Sequence, residues 1–272
     1  MSGKKRLDVL LLEKGLFPSR EKAKSSIMAG LITVDGQRVD KAGTEIPVSA
    51  IIEVAGPANP YVSRGGLKLE KAISYFGIKF EGKTVVDIGA STGGFTDCAL
   101  KNGAVKVYAI DVGYGQLDWK LRQDPRVVNF ERSNIRYFDT ALLGETPDIV
   151  TVDVAFISLV LVLPKITEIL QTGGEAVVLI KPQFEVGREK VGRKGVVRDP
   201  DIHKEVIMKV LEKAVGFGFR INGLTYSPVK GPEGNIEYLA YLLKDEAQVN
   251  QTAQELSVLA FRTVDEAVCA FF

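Results

Sequence analysis

The rhythm of apolar and polar positions changes twice along the chain, and the changes divide it. Across residues 5–30 the period is helical: Leu7, Leu10, Leu11 and Leu12 form an apolar face and Gly15 supplies a C-cap. Ser19 then N-caps a second helix over 20–28 that ends at Gly30. From residue 31 the pattern turns to short β-prone runs, 31–34 and 37–39, joined by Asp35-Gly36, a strong hairpin signal. A further strand is expected over 51–54, and the proline and glycine of 56–60 have the composition of a linker.

Beyond residue 60 buried strands alternate with helices. The pattern predicts a helix over 66–76, a strand over 84–89 running into a glycine loop, and a helix over 95–102. Strands follow at 105–111, 127–130 and 148–154, then a helix at 160–170 and a strand at 176–181. A long helix over 201–215 precedes two last strands, 219–226 and 236–243. Such alternation requires right-handed crossovers and predicts a Rossmann-like α/β fold with a mostly parallel seven-stranded sheet, preceded by a small α+β unit. The expected division is 1–56, a linker over 57–63, a large domain over 64–245 and a helical tail over 246–272 with no assigned role.

Composition alters this picture little. The 272 residues are 46% hydrophobic and 25% charged with a formal net charge of +1, a balance that neither demands nor excludes a nucleic-acid partner. Cys98 and Cys269 are the two cysteines, and with no secretion signal they read as cytosolic thiols, so a cytoplasmic protein is expected. The most apolar stretch, 154–163, is about half the ~20 residues needed to cross a bilayer, so no membrane role is expected. No Cys, His or acidic cluster has metal-ligand spacing, so no metal is expected. Cys98 falls inside a helix, where burial is the default, and His203, the single histidine, reads as exposed or helix-packing.

The glycine loop carries the first candidate chemistry. Asp87, Gly89, Ala90, Ser91, Thr92, Gly93, Gly94 and Phe95 lead from a strand into a helix, without the G-x-G-x-x-G spacing of a dinucleotide site. Asp111, ending the next strand beside Val112, suits a ribose diol, and Asn134 after the third strand is a candidate for the base of a nucleoside. An acid at Asp87 repels a pyrophosphate and favours the cationic methionine end of S-adenosylmethionine. From the residues alone, a plain packing turn and a nicotinamide site stay open.

Four further residues stand at strand ends or beside them: Lys68 on the helix before the first strand, Asp153 ending the fourth, Lys181 ending the fifth, and Glu237 beginning the last. In an open α/β sheet the carboxyl ends of the strands line the ligand crevice. Toward the N-terminus, Lys4, Lys5, Arg6, Lys14, Arg20, Lys22 and Lys24 form a basic series interleaved with Asp8, Glu13 and Glu21. Charge alone does not separate a phosphate-binding face from a solvated one. The glycine-rich segment 187–199, with Arg188, Lys190, Arg193, Lys194 and Arg198, reads as a mobile basic loop over the site that contacts RNA phosphate; a merely solvated loop is its other reading.

Resemblances sharpen these readings. Arg6-Leu7-Asp8, Gly15, Ser19-Arg20, Ala23, Ile27, Gly30 and Val34-Asp35-Gly36 resemble the RNA-binding domain named after ribosomal protein S-four, which implies RNA-facing roles for Arg6, Ser19, Arg20 and Lys22. The Lys68, Asp153, Lys181, Glu237 set resembles the FtsJ-type 2′-O-methyltransferases. Together with 63–68, 93–97, 111–117, 156–159 and 181–185, the chain resembles the TlyA family over nearly its whole length. That resemblance implies a class I methyltransferase that uses S-adenosylmethionine on the ribose 2′-hydroxyl of ribosomal RNA within ribosomal subunits, at cytidines in characterised members. Lys181 is then the expected base, with Lys68 assisting and Asp153 and Glu237 positioning them, and Arg64, Arg188 and Arg193 are expected on RNA. A non-catalytic RNA-binding protein on the same fold, and a membrane-active haemolysin, are the competing readings.

Overall fold

The structure, a computed structural model, describes residues 3–17, 19–28, 30–54, 59–187, 191–192, 195–245 and 250–272. It forms two compact units, Met1–Pro60 and Tyr61–Phe272.

In the first unit, helices α1 (Leu7–Glu13) and α2 (Arg20–Met28) pack through Leu7, Leu10, Leu11, Ala23 and Ile27. Leu12, grouped above with that apolar face, is exposed, because burial follows the i, i+3, i+4 positions that start at Leu7. Three residues ahead of α1 also depart from the helical expectation. Lys4–Arg6 forms strand β1 and pairs antiparallel with β4 (Glu45–Pro47), which satisfies backbone groups that a helix start would leave open. Between them, β2 (Ile32–Val34) lies centrally in a sheet with β3 (Gln37–Arg38) and β5 (Ile52–Val54). Asp35 (φ 49°) and Gly36 (φ 77°) both take the left-handed conformation that a two-residue hairpin requires.

The second unit is a three-layer α/β domain. Its strands are β6 (Thr84–Ile88), β7 (Lys106–Ile110), β8 (Val127–Phe130), β9 (Ile149–Val152), β10 (Glu175–Ile180), β11 (Phe219–Tyr226) and β12 (Tyr238–Lys244). They form a seven-stranded sheet in the order β11-β12-β10-β9-β6-β7-β8, parallel except at β12, which runs antiparallel to both neighbours. Helices α3 (Gly65–Phe76), α4 (Gly94–Lys101) and α5 (Trp119–Arg122) lie with one core, containing Leu69, Val85, Cys98 and Leu121. Helix α6 (Leu163–Ile169) and α8 (Pro200–Gly216) lie with the other, which includes Val86, Ile88 and Ile207; the short α7 (Pro182–Glu185) packs against α8. Successive residues of β6 therefore face opposite layers, and the parallel strands are apolar on both sides because both are covered. The single helix expected over 160–170 is a 3-10 turn, Leu159–Leu161, followed by α6, whose first turn holds Pro164.

The tail receives a place in this core. Helix α9 (Ala253–Phe271) opens on a capping box made by Thr252 and Glu255, and Leu256, Ala260, Val264 and Ala267 line its buried face. They join the same cluster as Ile207 of α8 and Leu224 of β11. Helix α9 is thus structural. Leu256→Ala is expected to cost about 2–5 kcal/mol of unfolding free energy in urea titration. Val258→Ala, on the exposed side of the same helix, is expected to stay within about 0.5 kcal/mol.

Candidate active site

The sheet places the site. The chain proceeds from β6 outward through β7 to β8, then returns to add β9 on the other side of β6. The order reverses between β6 and β9, and the crevice outside their carboxyl ends is where open α/β sheets bind ligands. Gly89 follows β6 there and Asp153 follows β9. The two segments touch: Asp153 N–H donates to the Ile88 carbonyl at 2.9 Å, and a Cβ at Gly89 (φ 81°) would run into the Asp153 carbonyl. Only glycine accommodates both that conformation and that approach.

Lysines arrive from two directions. Lys181 follows the last residue of β10, the neighbour of β9. Lys68 is carried on α3, whose start is pressed against the start of α4. A Cβ at Gly94 would strike Ser63 and the backbone of Gly65 and Gly66, and a Cβ at Gly66 would strike the Tyr61 ring. Gly65, Gly66 and Gly94 thus let α3 carry Lys68 close to the strand ends. Glu237 arrives because β12 is antiparallel: Tyr238 pairs with Ile180, so the start of β12 meets the end of β10.

These four side chains form one alternating chain of charge. Lys181 pairs with Asp153 through Oδ1. Lys68 Nζ donates to Asp153 Oδ2 at 3.4 Å and to Glu237 Oε2 at 2.7 Å. The side chains are 12%, 18%, 9% and 1% exposed for Lys181, Asp153, Lys68 and Glu237, so water screens them little. Burial alone lowers the Lys68 pKa, but Asp153 and Glu237 together outweigh it and leave the ammonium favoured. Burial likewise raises Asp153, and Lys68 and Lys181 outweigh it, holding the carboxylate ionised.

The loop residues fall into two groups. Ala90, Ser91 and Thr92 wrap the end of β6, and Asp111 reaches across to them: its Oδ2 accepts Ser91 N–H at 2.8 Å and its Oδ1 accepts Gly113 N–H at 2.6 Å. Two of its roughly four lone-pair sites remain for a diol. Val112 is exposed beside it, and Ser133 N–H donates to the Asp111 carbonyl, bringing Asn134 alongside. Asn134 spends its Oδ1 on Arg136 N–H at 3.1 Å, as the cap of a 3-10 turn. This set fits a nucleoside with a free ribose. Gly93 (φ 96°) packs under Leu117 and Leu121 of the same wall.

Asp87 and Phe95 lie in the interior. Asp87 lies on the same face of β6 as Val85, beneath α4 and beside its cross-strand partner Thr151. It is fully buried; Oδ2 accepts the Thr96 hydroxyl at 2.6 Å and Oδ1 the Thr151 hydroxyl at 3.0 Å. Its carboxylate therefore ties the first turn of α4 to β9 from within. Phe95 is buried in the core with Ala99.

Further residues lie around the site and in the N-terminal unit. Phe156, three residues beyond Asp153, takes φ 62° and is 91% exposed, with its ring 5.1 Å from that of Phe184. Glu185 is buried and binds Ser158 and Leu159. His203 is buried, sharing a 2.6 Å hydrogen bond with the Tyr238 hydroxyl and a 2.9 Å one with the Val197 carbonyl. Arg64 donates to the Lys230 carbonyl at 3.1 Å. In the N-terminal unit Arg6 and Arg20 converge on buried Asp8, with Nε–Oδ distances of 3.0 and 2.9 Å, and Arg6 and Arg20 together hold the Asp8 carboxyl down at about 2 despite its burial. Ser19 Oγ accepts Lys22 N–H at 3.3 Å, as an N-cap. Arg188 and Arg193 lie outside the described residues. Among the described residues, no group of three or more His, Cys, Asp or Glu could hold a metal ion, and no helix is long and apolar enough to cross a membrane.

Known proteins resemble both units. Residues 61–244 match the FtsJ-like methyltransferase family and residues 5–52 match the S4 domain. YqxC of Bacillus subtilis is 49% identical over 98% of this chain and 95% of its own length. The 16S/23S rRNA (cytidine-2′-O)-methyltransferase TlyA of Mycobacterium tuberculosis is 42% identical over 89% of this chain and 91% of its own. A solved structure from Streptococcus thermophilus that carries a hemolysin name superimposes with a TM-score of 0.78 at 46% identity, covering 100% of this chain and 98% of that one.

The inward carboxylate has a measurable signature. Burial raises the Asp87 pKa from 3.8 to about 6, against the pull of Thr96 and Thr151. The folded chain thus holds this proton more tightly than the unfolded one, so stability falls as pH rises from near 4 through about 6. Asp87→Asn, which keeps the shape, is expected to melt above wild type at about pH 7.5, with the gap closing near about pH 4. A gap of the same size at both pH values would refute the assignment.

Proposed function

We propose a function from the premise that the chain belongs to the TlyA family of FtsJ-like methyltransferases and carries an S4 domain. It transfers a methyl group from S-adenosylmethionine to the ribose 2′-hydroxyl of a cytidine in ribosomal RNA, working in the cytoplasm on ribosomal subunits. The observation that carries this reading is the Lys181–Asp153–Lys68–Glu237 chain set against the glycine loop. TlyA of Mycobacterium tuberculosis, related over most of both chains, is named for the same reaction.

When bound, the cofactor supplies an electrophilic methyl group on a sulfonium. Asp111 would hold its ribose diol, the backbone of 89–94 its methionine part, and Val112 and Asn134 would flank its adenine. A ribose hydroxyl is a weak nucleophile, so its proton must leave as the methyl arrives in line. Lys68, held by two carboxylates, stays an ammonium and fixes Asp153. Lys181 sits on the other oxygen of that carboxylate and, as a neutral amine, takes the proton from the 2′-oxygen. The exposed Phe156 ring beside this pair offers a stacking face for an unpaired base. At the N-terminus Arg6, Arg20 and Lys22 meet RNA phosphate, with Ser19 capping the helix that carries two of them. Arg64 and the basic segment holding Arg188 and Arg193 serve the same backbone near the site.

The test is transfer from labelled S-adenosylmethionine to purified ribosomal subunits, with the product mapped by primer extension sensitive to ribose methylation. Lys181→Ala is expected to lower the transfer rate by about 10²–10⁴-fold, the range of general-base catalysis, while cofactor affinity stays near wild type. Transfer that survives in Lys181→Ala would remove the base assignment. Wild-type protein that binds cofactor but labels neither subunit would favour a non-catalytic RNA-binding role.

A further inference from the structure

The two segments that leave the strands after Asp153 and Lys181 meet at one buried carboxylate. Glu185 ends α7, the single turn that starts directly after Lys181. Its Oε2 accepts the Ser158 hydroxyl at 2.6 Å and its Oε1 accepts Leu159 N–H at 2.6 Å. Its own carbonyl accepts Lys209 Nζ from α8 at 3.0 Å. Ser158 and Leu159 belong to the segment that leaves β9 after Asp153, and Glu185 belongs to the segment that leaves β10 after Lys181. The carboxylate therefore ties together the two loops that hold the two partners of the Asp153–Lys181 ion pair.

The surroundings point the same way. Phe184 N–H donates to the Lys181 carbonyl at 2.9 Å, so the turn is closed directly on the lysine's own backbone, and Pro182 fixes its first φ. Across from it, Phe156 holds φ 62°, a conformation that costs a non-glycine residue about 1–3 kcal/mol and persists only where neighbours enforce it. The Glu185 bonds act two and three residues later, on the same short loop. Phe156 and Phe184 then lean together at 5.1 Å, and Lys181 Nζ lies 5.9 Å from the Phe184 ring. Burial pushes the Glu185 carboxyl up despite both donors, so ionised Glu185 carries a desolvation cost. A residue needed only to fill this space would avoid that cost.

We propose that Glu185 is a positioning residue for methyl transfer: by clasping Ser158 and Leu159 to the Lys181 turn, it sets the spacing of Asp153 and Lys181 and the angle of the Phe156 ring. It touches no reacting atom. The inference rests on the methyltransferase reading above and assigns that site a part absent from the four-residue set.

The experiment uses the full chain, ribosomal subunits and labelled S-adenosylmethionine, with Glu185→Ala, Glu185→Gln and Ser158→Ala beside wild type. Glu185→Ala breaks both bonds and is expected to lower kcat by about 100-fold, as a displacement of about 1 Å does, with KM for cofactor within about threefold. Glu185→Gln can still accept from Leu159 N–H and donate to Ser158 Oγ, so it is expected to recover most of that loss. Ser158→Ala removes one bond, carries the test if Glu185→Ala does not fold, and is expected to lower kcat by about fivefold to tenfold at unchanged KM. Wild-type kcat in folded Glu185→Ala or Ser158→Ala, with only a lower melting temperature, would reduce the clasp to a stability feature and overturn the proposal. Glutamine as poor as alanine would overturn it in favour of a role for the charge itself. An inactive wild type would instead bring down the methyltransferase reading, and the clasp with it.

Discussion

Asp153 is the hinge of the structure's chemistry, because one carboxylate serves two lysines where water scarcely reaches. Its side chain lies between Lys68 and Lys181, and its backbone is locked to the glycine loop through the Ile88 carbonyl and the close approach of Gly89. Removing one member of such a buried set would leave an uncompensated charge, which typically costs several kcal/mol. The set is therefore cooperative: Glu237 secures Lys68, Lys68 secures Asp153, and Asp153 limits how far Lys181 can stray. Sheet order makes this possible for Asp153, Lys181 and Glu237, which the β6/β9 reversal and the antiparallel β12 bring to one edge, while α3 adds Lys68.

Much of this was legible in the chain. Asp153, Lys181 and Glu237 were placed by strand ends alone, and each stands one residue outside its strand, within the scatter of any boundary. That Glu237 begins its strand while the others end theirs was a clue to antiparallel β12. The loop motif draws attention to Asp87 as part of the loop, while the strand's own period states which layer it faces. Val85 and Asp87 share a face by simple alternation, and that face lies under α4, where Thr96 waits.

Other features lay outside what local pattern can express. Lys4–Arg6 has no apolar alternation, so its pairing with Glu45–Pro47 is a long-range event without a local mark. The tail read as helical, yet its partner could not be named, because an amphipathic stripe states that something covers it and not what. Ser158 in a loop and Glu185 at the end of α7 are ordinary polar residues far apart in sequence. Only the tertiary fold reveals that one binds the other.

The same device occurs twice in the chain with different bases, and the difference follows the proposed work. In the N-terminal unit buried Asp8 holds Arg6 and Arg20; in the second, Asp153 holds Lys68 and Lys181. Both acids orient two cations, so both shorten the search those side chains would make alone. The arginines stay 49% and 42% exposed, and a guanidinium remains charged at any physiological pH while offering further N–H donors, which suits a phosphate that must be met at the surface. The lysines are far less exposed, at 9% and 12%, and an amine, unlike a guanidinium, has a neutral form that accepts a proton. On the proposed reading the two base types are not interchangeable: an arginine beside Asp153 has no accessible neutral form to accept a hydroxyl proton, and a lysine beside Asp8 lacks the fork that leaves donors free for RNA.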